Sequence, residues 1–330
     1  MKMSNANDQH EAAGPEALMA TDTSLIEKRS LAGIIFVGNQ GLRAGWSALL
    51  FISLVLAFGF GASALERAIT RTQRSQTLTP VEHLLHESAL LAALFLATLI
   101  MARIESRSVF SYGFRDERKL IRLVSGTVVG FLFISGLVGI LWATHALAFD
   151  GKSLDGVLVW KYGFLWFAAF LVVGFFEEGL LRGYLQFTLT RGLTFWGAAA
   201  FTSVLFGLLH VGNGGETPVG ICVAIVAGLV FCLSLKLTGS LWWIVGVHTG
   251  IGFAEGYFYG TADSGFVAQG HLYATHPVGE AFWSGGATGP EGSIYALLAL
   301  LLLAVGMWLT WGTRPGPHVR DGGVHDRDTH

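Results

Sequence analysis

Charge is what this sequence has least of. Asp, Glu, Lys and Arg together make up 13% of its 330 residues, about half the share of a soluble domain. Long stretches carry none of the four, while aliphatic and aromatic types reach 52%. A chain this apolar is solvated by lipid. The net charge of -2 excludes the basic footprint that nucleic acid requires, so no nucleic-acid partner is expected. Cysteine is nearly absent too. Cys222 and Cys232 form no CxxC pattern, which excludes a disulfide framework, and both read as small hydrophobes buried in a helix. No secretory signal is evident. Lys28-Arg29 precedes an apolar run, Leu31–Gly38, that is too short and too far in, and an interfacial segment is the better reading. The zinc-protease pattern HExxH is also missing, as is any internal repeat.

Long apolar runs are there in its place. A bilayer-spanning helix needs about 20 mostly apolar residues. Eight candidates appear: Ala44–Leu65, His86–Ala102, Ile121–Ala143, Val157–Phe176, Leu193–Leu209, Val219–Leu235, Leu241–Tyr259 and Ser293–Trp311. The expected fold is an all-α polytopic membrane protein with about eight transmembrane helices. The fourth span should continue as helix past Arg182, because EEGLLRGYLQ has no strong breaker. Residues 1–42 read as a polar, largely disordered region with an interfacial segment, 43–312 as the bundle, and 313–330 as a disordered polar tail.

Basic residues choose an orientation. Arg103, Arg107, Arg115, Arg118, Lys119 and Arg122 crowd the second link, and the last external link, Gly260–Gly292, has no Lys or Arg. Both termini are therefore expected in the cytoplasm, the main exception being Arg67, Arg71 and Arg74 in the first external link. The length of Gly260–Gly292 suggests a lid or a folded cap. At its end, Pro290 and Glu291 read as a helix start, with Glu291 at the positive end of the dipole.

Ionisable groups inside spans are costly, and five stand out: Glu177, Glu178, Arg182, His210 and His248. Adjacent helical residues point about 100° apart, so the two glutamates cannot share one role. Glu178 and Arg182 lie four apart with the acid first, the favourable order. Arg182 can hold Glu178, leaving Glu177 as a base for water. His210 closes the fifth span before the turn Gly212-Asn-Gly-Gly, and His248 lies inside the seventh. Imidazole nitrogens and a carboxylate suit Zn²⁺ with one position left for water, so Glu177, His210 and His248 form a candidate metal set. A structural ion cluster, a proton relay in a transporter and a binding scaffold are the competing readings.

The run Glu177-Glu178-x-x-x-Arg182, followed by Phe206-x-x-x-His210 and a histidine in a later span, resembles the CPBP family of CAAX prenyl endopeptidases and bacteriocin-processing proteins. Tyr112-Gly-Phe before the third span is weakly similar as well. The resemblance covers about Val157–Tyr259. It implies an intramembrane, metalloprotease-type endopeptidase, possible zinc, a peptide or lipidated-protein substrate among membrane lipids, and a multi-pass protein of a bacterial plasma membrane. In its terms Glu177 activates water, His210 and His248 hold water or metal, and Glu178 with Arg182 supports them. One departure stands out. The family's third motif has Asn or Asp four residues beyond the histidine, where this chain has Gly252. A distorted helix bringing in Glu255, a water beside Gly252, or lost activity would each account for it. A second tension is depth: helix counting puts Glu177 and His210 at opposite levels unless the fourth helix is long or the fifth tilted.

Overall fold

The computed structural model describes residues 37–38, 41–70, 77–312, 318–320 and 323–325. The expectations of disorder and of an interfacial segment fall almost wholly outside these residues. The chain divides into two units, Met1–Arg43 and Ala44–His330. The described part of the first is a two-stranded hairpin, β1 (Val37–Gly38) with β2 (Gly41–Leu42).

The second unit is a helical bundle: α1 (Ala44–Thr70), α2 (Pro80–Ile104), α3 (Lys119–Ala143), α4 (Val157–Glu178), α5 (Gln186–Gly192), α6 (Phe195–His210), α7 (Pro218–Thr238), α8 (Trp242–Gly252), a short α9 (Ala281–Ser284) and α10 (Ile294–Trp311). The all-α polytopic architecture is as expected, and the count of eight spans is corrected. Among the described residues six helices are long and apolar enough to cross a membrane. The expected fifth span is a helix of 16 residues, begun by the Thr194 cap and ended by the polar turn after His210. The expected seventh is an α-helix of 11 residues that widens into a π-helical turn over Phe253–Tyr259. The fourth does run on: α4, a π-helical stretch Gly179–Leu185 and α5 form one apolar segment of 36 residues, Val157–Gly192. Its kink is at Gly183, whose backbone leaves helical geometry. Cys232 is buried as expected, whereas Cys222 on α7 is exposed, which corrects its reading as a buried hydrophobe.

Helix α8 carries His248 and is held against α3 by glycines on both sides. A Cβ on Gly126 or Gly130 would overlap the backbone carbonyls of Trp243 or Val247, and one on Gly246 or Gly250 those of Leu123 or Thr127. Two small-xxx-small stripes thus let the backbones touch, the packing mode open to helices in lipid. The Tyr112-Gly113-Phe114 segment fixes the start of α8: Gly113 O accepts from Leu241 N, and Phe114 O accepts from the Trp242 indole.

The 260–292 link is a folded cap. Strand β4 (Leu147–Lys152) pairs antiparallel with β7 (Tyr273–Pro277). Strands β5 (Ala262–Asp263) and β6 (Phe266–Ala268) form a hairpin. Its two-residue turn, Ser264-Gly265, has positive φ at both positions, as in the type I′ turn that suits strand twist. Strand β3 (Thr77–Leu78) adds to β6 in parallel, so the first external link is tied into the cap.

Candidate active site

Glu177 and Glu178 end α4 on two different faces. Glu178 is fully buried, whereas Glu177 keeps 29% of its side chain exposed. The long fourth segment, Val157–Gly192, places Glu177 near its middle, the arrangement that the depth tension called for. Glu177, His210 and His248 line one cavity of about 1310 Å³, which extends between α1 and α2 to the His86–Glu66 pair on its far wall.

His248 stands between the two acids. Its Nδ1 lies 3.0 Å from Glu178 Oε1 and its Nε2 3.5 Å from Glu177 Oε2. A carboxylate only accepts, so Nδ1 donates to Glu178, while Nε2 lies on the Glu177 side of the ring. Glu178 is held in turn by Arg182 Nη1 at 3.2 Å. The Arg182 guanidinium lies over the rings of Phe206 and Phe231, 4.7 and 5.3 Å from their centroids, a cation–π setting for a charge removed from water. Phe206 has a second task. Its carbonyl accepts from His210 Nδ1 at 2.8 Å, which leaves Nε2 as that ring's acceptor. The spacing Phe-x-x-x-His is thereby explained, one residue stacking on Arg182 and fixing the tautomer of the other.

Zinc coordination places ligand atoms about 3.3 Å from one another. The gap between His248 Nε2 and Glu177 Oε2 suits that, and both histidines have the partner on Nδ1 that ligating imidazoles use. His210 does not close the set. Among the described residues, the group of three ligand atoms all within 4.8 Å of one another is Glu255, Asp263 and Glu291. The donor chemistry suits zinc; the spacing of His210 does not.

Gly252 is a filled gap. A Cβ there would overlap Phe170 Cδ1, with Cε1 at 2.8 Å, so an aromatic ring from α4 occupies the space a longer side chain would take. Glu255 does not substitute at His248 but turns toward Asp263 and Glu291. Asp263 and Glu291 line the cavity with Glu177. Burial, and then the Glu291 charge, push the Asp263 carboxyl up to about 7, with Glu177 adding and His248 and His210 opposing. Burial also raises Glu291, against the hydrogen bonds from Ser264.

Of the five residues singled out in the sequence, four are linked in the order Glu177, His248, Glu178, Arg182, and the fifth, His210, lines the cavity with Glu177 and His248. Phe170 and Asp263 were missed. Asp263 had one signal: its link holds no Lys or Arg to neutralise it.

Residues 159–254 match the family model of the type II CAAX prenyl endopeptidases, Rce1-like. The chain carries an Rce1-like domain. It is an integral, multi-pass membrane protein, and all five residues, with Gly252, fall inside the matched segment. No curated protein and no solved structure matches the chain. The Rce1-like segment ends one residue before Glu255, so the carboxylate trio lies outside it.

Proposed function

We propose that the chain is an intramembrane endopeptidase that hydrolyses a peptide bond of a membrane-associated peptide or lipidated protein, with both termini in the cytoplasm. The observation that carries this is the half-exposed Glu177 carboxylate beside His248 Nε2, in a cavity shared with His210. Glu177 takes a proton from water as the oxygen adds to the amide carbonyl carbon. The Nε2 acceptors of His248 and His210 help hold that water in the cavity. The tetrahedral adduct then breaks its C–N bond, and Glu177 returns the proton to the leaving amine. No acyl-enzyme forms. Glu178 is a positioning residue that accepts from His248 Nδ1, and Arg182 holds the Glu178 carboxylate in place. The cavity exceeds the size of ordinary small-molecule pockets and suits an extended segment.

Glu177→Gln removes the base and keeps the shape, so cleavage of a membrane-peptide library by purified protein should fall by about 10²–10⁴-fold, the range of general base catalysis. Cleavage at the parental rate would overturn the reading. Zinc analysis of the same samples separates water held by side chains from water held by metal. The ring in the Gly252 space favours one alternative, a relative that binds its target without cutting it; binding unaffected by Glu177→Gln, with no cleavage by the parent, is its signature.

A further inference from the structure

Three carboxylates meet at the base of the cap. Glu255 comes from the π-helical turn, Asp263 from β5 and Glu291 from the 3₁₀ turn Pro290–Gly292. One oxygen of each lies within 4.8 Å of the other two. Like charges this close cannot all be ionised unless something neutralises them. The link that supplies Asp263 and Glu291 has no Lys or Arg. Glu255 is completely buried, and neither of its oxygens has a hydrogen-bond partner among the described residues. Glu291 Oε1 accepts from Ser264 N at 2.7 Å and from Ser264 Oγ at 2.6 Å, two donors that fix the carboxyl in place. Glu255 is thus a buried acid with unpartnered oxygens, aimed at two further acids.

We propose that Glu255, Asp263 and Glu291 bind one hard divalent cation, Ca²⁺ or Mg²⁺, which fastens the 260–292 cap onto the helix that carries His248. A set of carboxylates without His or Cys selects hard cations over zinc. Ca²⁺ holds oxygens at about 2.3–2.6 Å, so ligands on opposite sides stand about 5 Å apart, which accommodates the spacing seen. The remaining positions face the water of the cavity that Asp263 and Glu291 line. Because Asp263 and Ser264 line the same cavity as Glu177, His210 and His248, an ion held there fixes the β5–β6 turn at the wall of that cavity.

The test uses full-length protein in detergent, stripped with chelator and titrated separately with CaCl₂ and MgCl₂. Calorimetry reads binding, and thermal unfolding reads its linkage to stability. The parent should bind about one equivalent of one of the two ions, and its Tm should climb with concentration, as mass action requires. Glu177→Gln should behave the same, so a failed protease reading leaves this result standing. Glu255→Gln and Asp263→Asn should each weaken binding at least about tenfold, roughly 1.4 kcal/mol. Without added ion, Glu255→Gln should melt above the stripped parent, since a buried like charge is gone. Asp263→Asn, at a half-buried position, gives the binding answer if Glu255→Gln does not fold. A parent that binds neither ion overturns the proposal and assigns the neutralisation to protons. Binding that persists unchanged in both variants overturns it as well.

Discussion

The ring of Phe170 occupies the space beside Gly252, so that a Cβ at 252 would overlap Phe170 Cδ1. The glycine and the aromatic residue are one packing unit across α4 and α8. Gly252→Asn alone must displace a ring packed on Trp166, at 5.4 Å between centroids. Overpacking of this kind costs about 1–3 kcal/mol, so the single variant should lose Tm and gain no activity. Phe170→Ala with Gly252→Asn makes room. If the third motif's amide is what the site lacks, the double variant should cleave faster than Phe170→Ala alone. Equal rates in a cleavage assay would show that the gap costs the enzyme nothing.

Glu178 and Arg182 are a buried pair whose value for stability and for catalysis can be separated. Removing one partner leaves an uncompensated buried charge, at about 3–5 kcal/mol. Arg182→Met should therefore unfold far below the parent in detergent melts. Glu178→Gln with Arg182→Met removes both charges and should recover most of the lost Tm. Activity should not recover, because His248 Nδ1 has lost its carboxylate. In Glu178→Gln alone, kcat should fall at least about tenfold while KM holds, as expected for a second-sphere partner. A matching rise in KM would mean that Glu178 shapes the substrate path instead.

The spans and the acid–base cluster were legible because lipid punishes ionisable groups. Glu177, Glu178, Arg182 and His248 stand out in apolar runs, and helical spacing alone divides the two glutamates. Distances between helices were not legible. Nothing local to Gly252 announces that Phe170, on another helix, fills its space. The glycine stripes at 126/130 and 246/250 are visible as spacing, yet their pairing depends on the fold. Glu291 was read as a helix-start acid, and Pro290 does open a helical turn, but the carboxylate turns to Ser264 and joins residues from two other segments. The depth tension between Glu177 and His210 came from counting spans as equal, whereas the fourth segment has 36 residues with Glu177 near its middle.

The glycine crossing of α3 and α8 predicts a sharp contrast on one helix. Gly246→Ala puts a methyl against Leu123 O, with Thr127 N at 2.8 Å. Backbone cannot yield as a side chain can, so α8 must move, and His248 lies two residues along. Stability should drop by at least about 1–3 kcal/mol, and cleavage should fall with it. Gly136→Ala on α3 meets nothing within 4 Å and trades glycine for a better helix former, about 0.5–1 kcal/mol in the favourable direction. Thermal melts of the two proteins should move in opposite directions. A parallel fall would mean that the crossing does not set the position of α8.

Glu105 gathers three side chains at the far end of α2. Its Oε1 accepts from Tyr184 Oη and Arg191 Nη2, both at 2.7 Å, and its Oε2 accepts from Tyr112 Oη at 2.9 Å. Burial and the Glu105 charge push the Tyr112 phenol well above its usual range, so it remains a donor at any ordinary pH. Glu105→Ala leaves the nearly buried Arg191 without its carboxylate, an effect of about 3–5 kcal/mol by the precedent of broken buried pairs. By contrast, Asp155→Ala breaks the exposed Lys152–Asp155 pair and should leave the melt unchanged. Tyr184 lies two residues after Arg182 in the π-helical stretch, so loss of Glu105 loosens the segment that holds Arg182 against Glu178. Activity measured well below the melting point should therefore fall in Glu105→Ala but stay at the parental level in Asp155→Ala. An unaltered rate in Glu105→Ala would confine the cluster to stability.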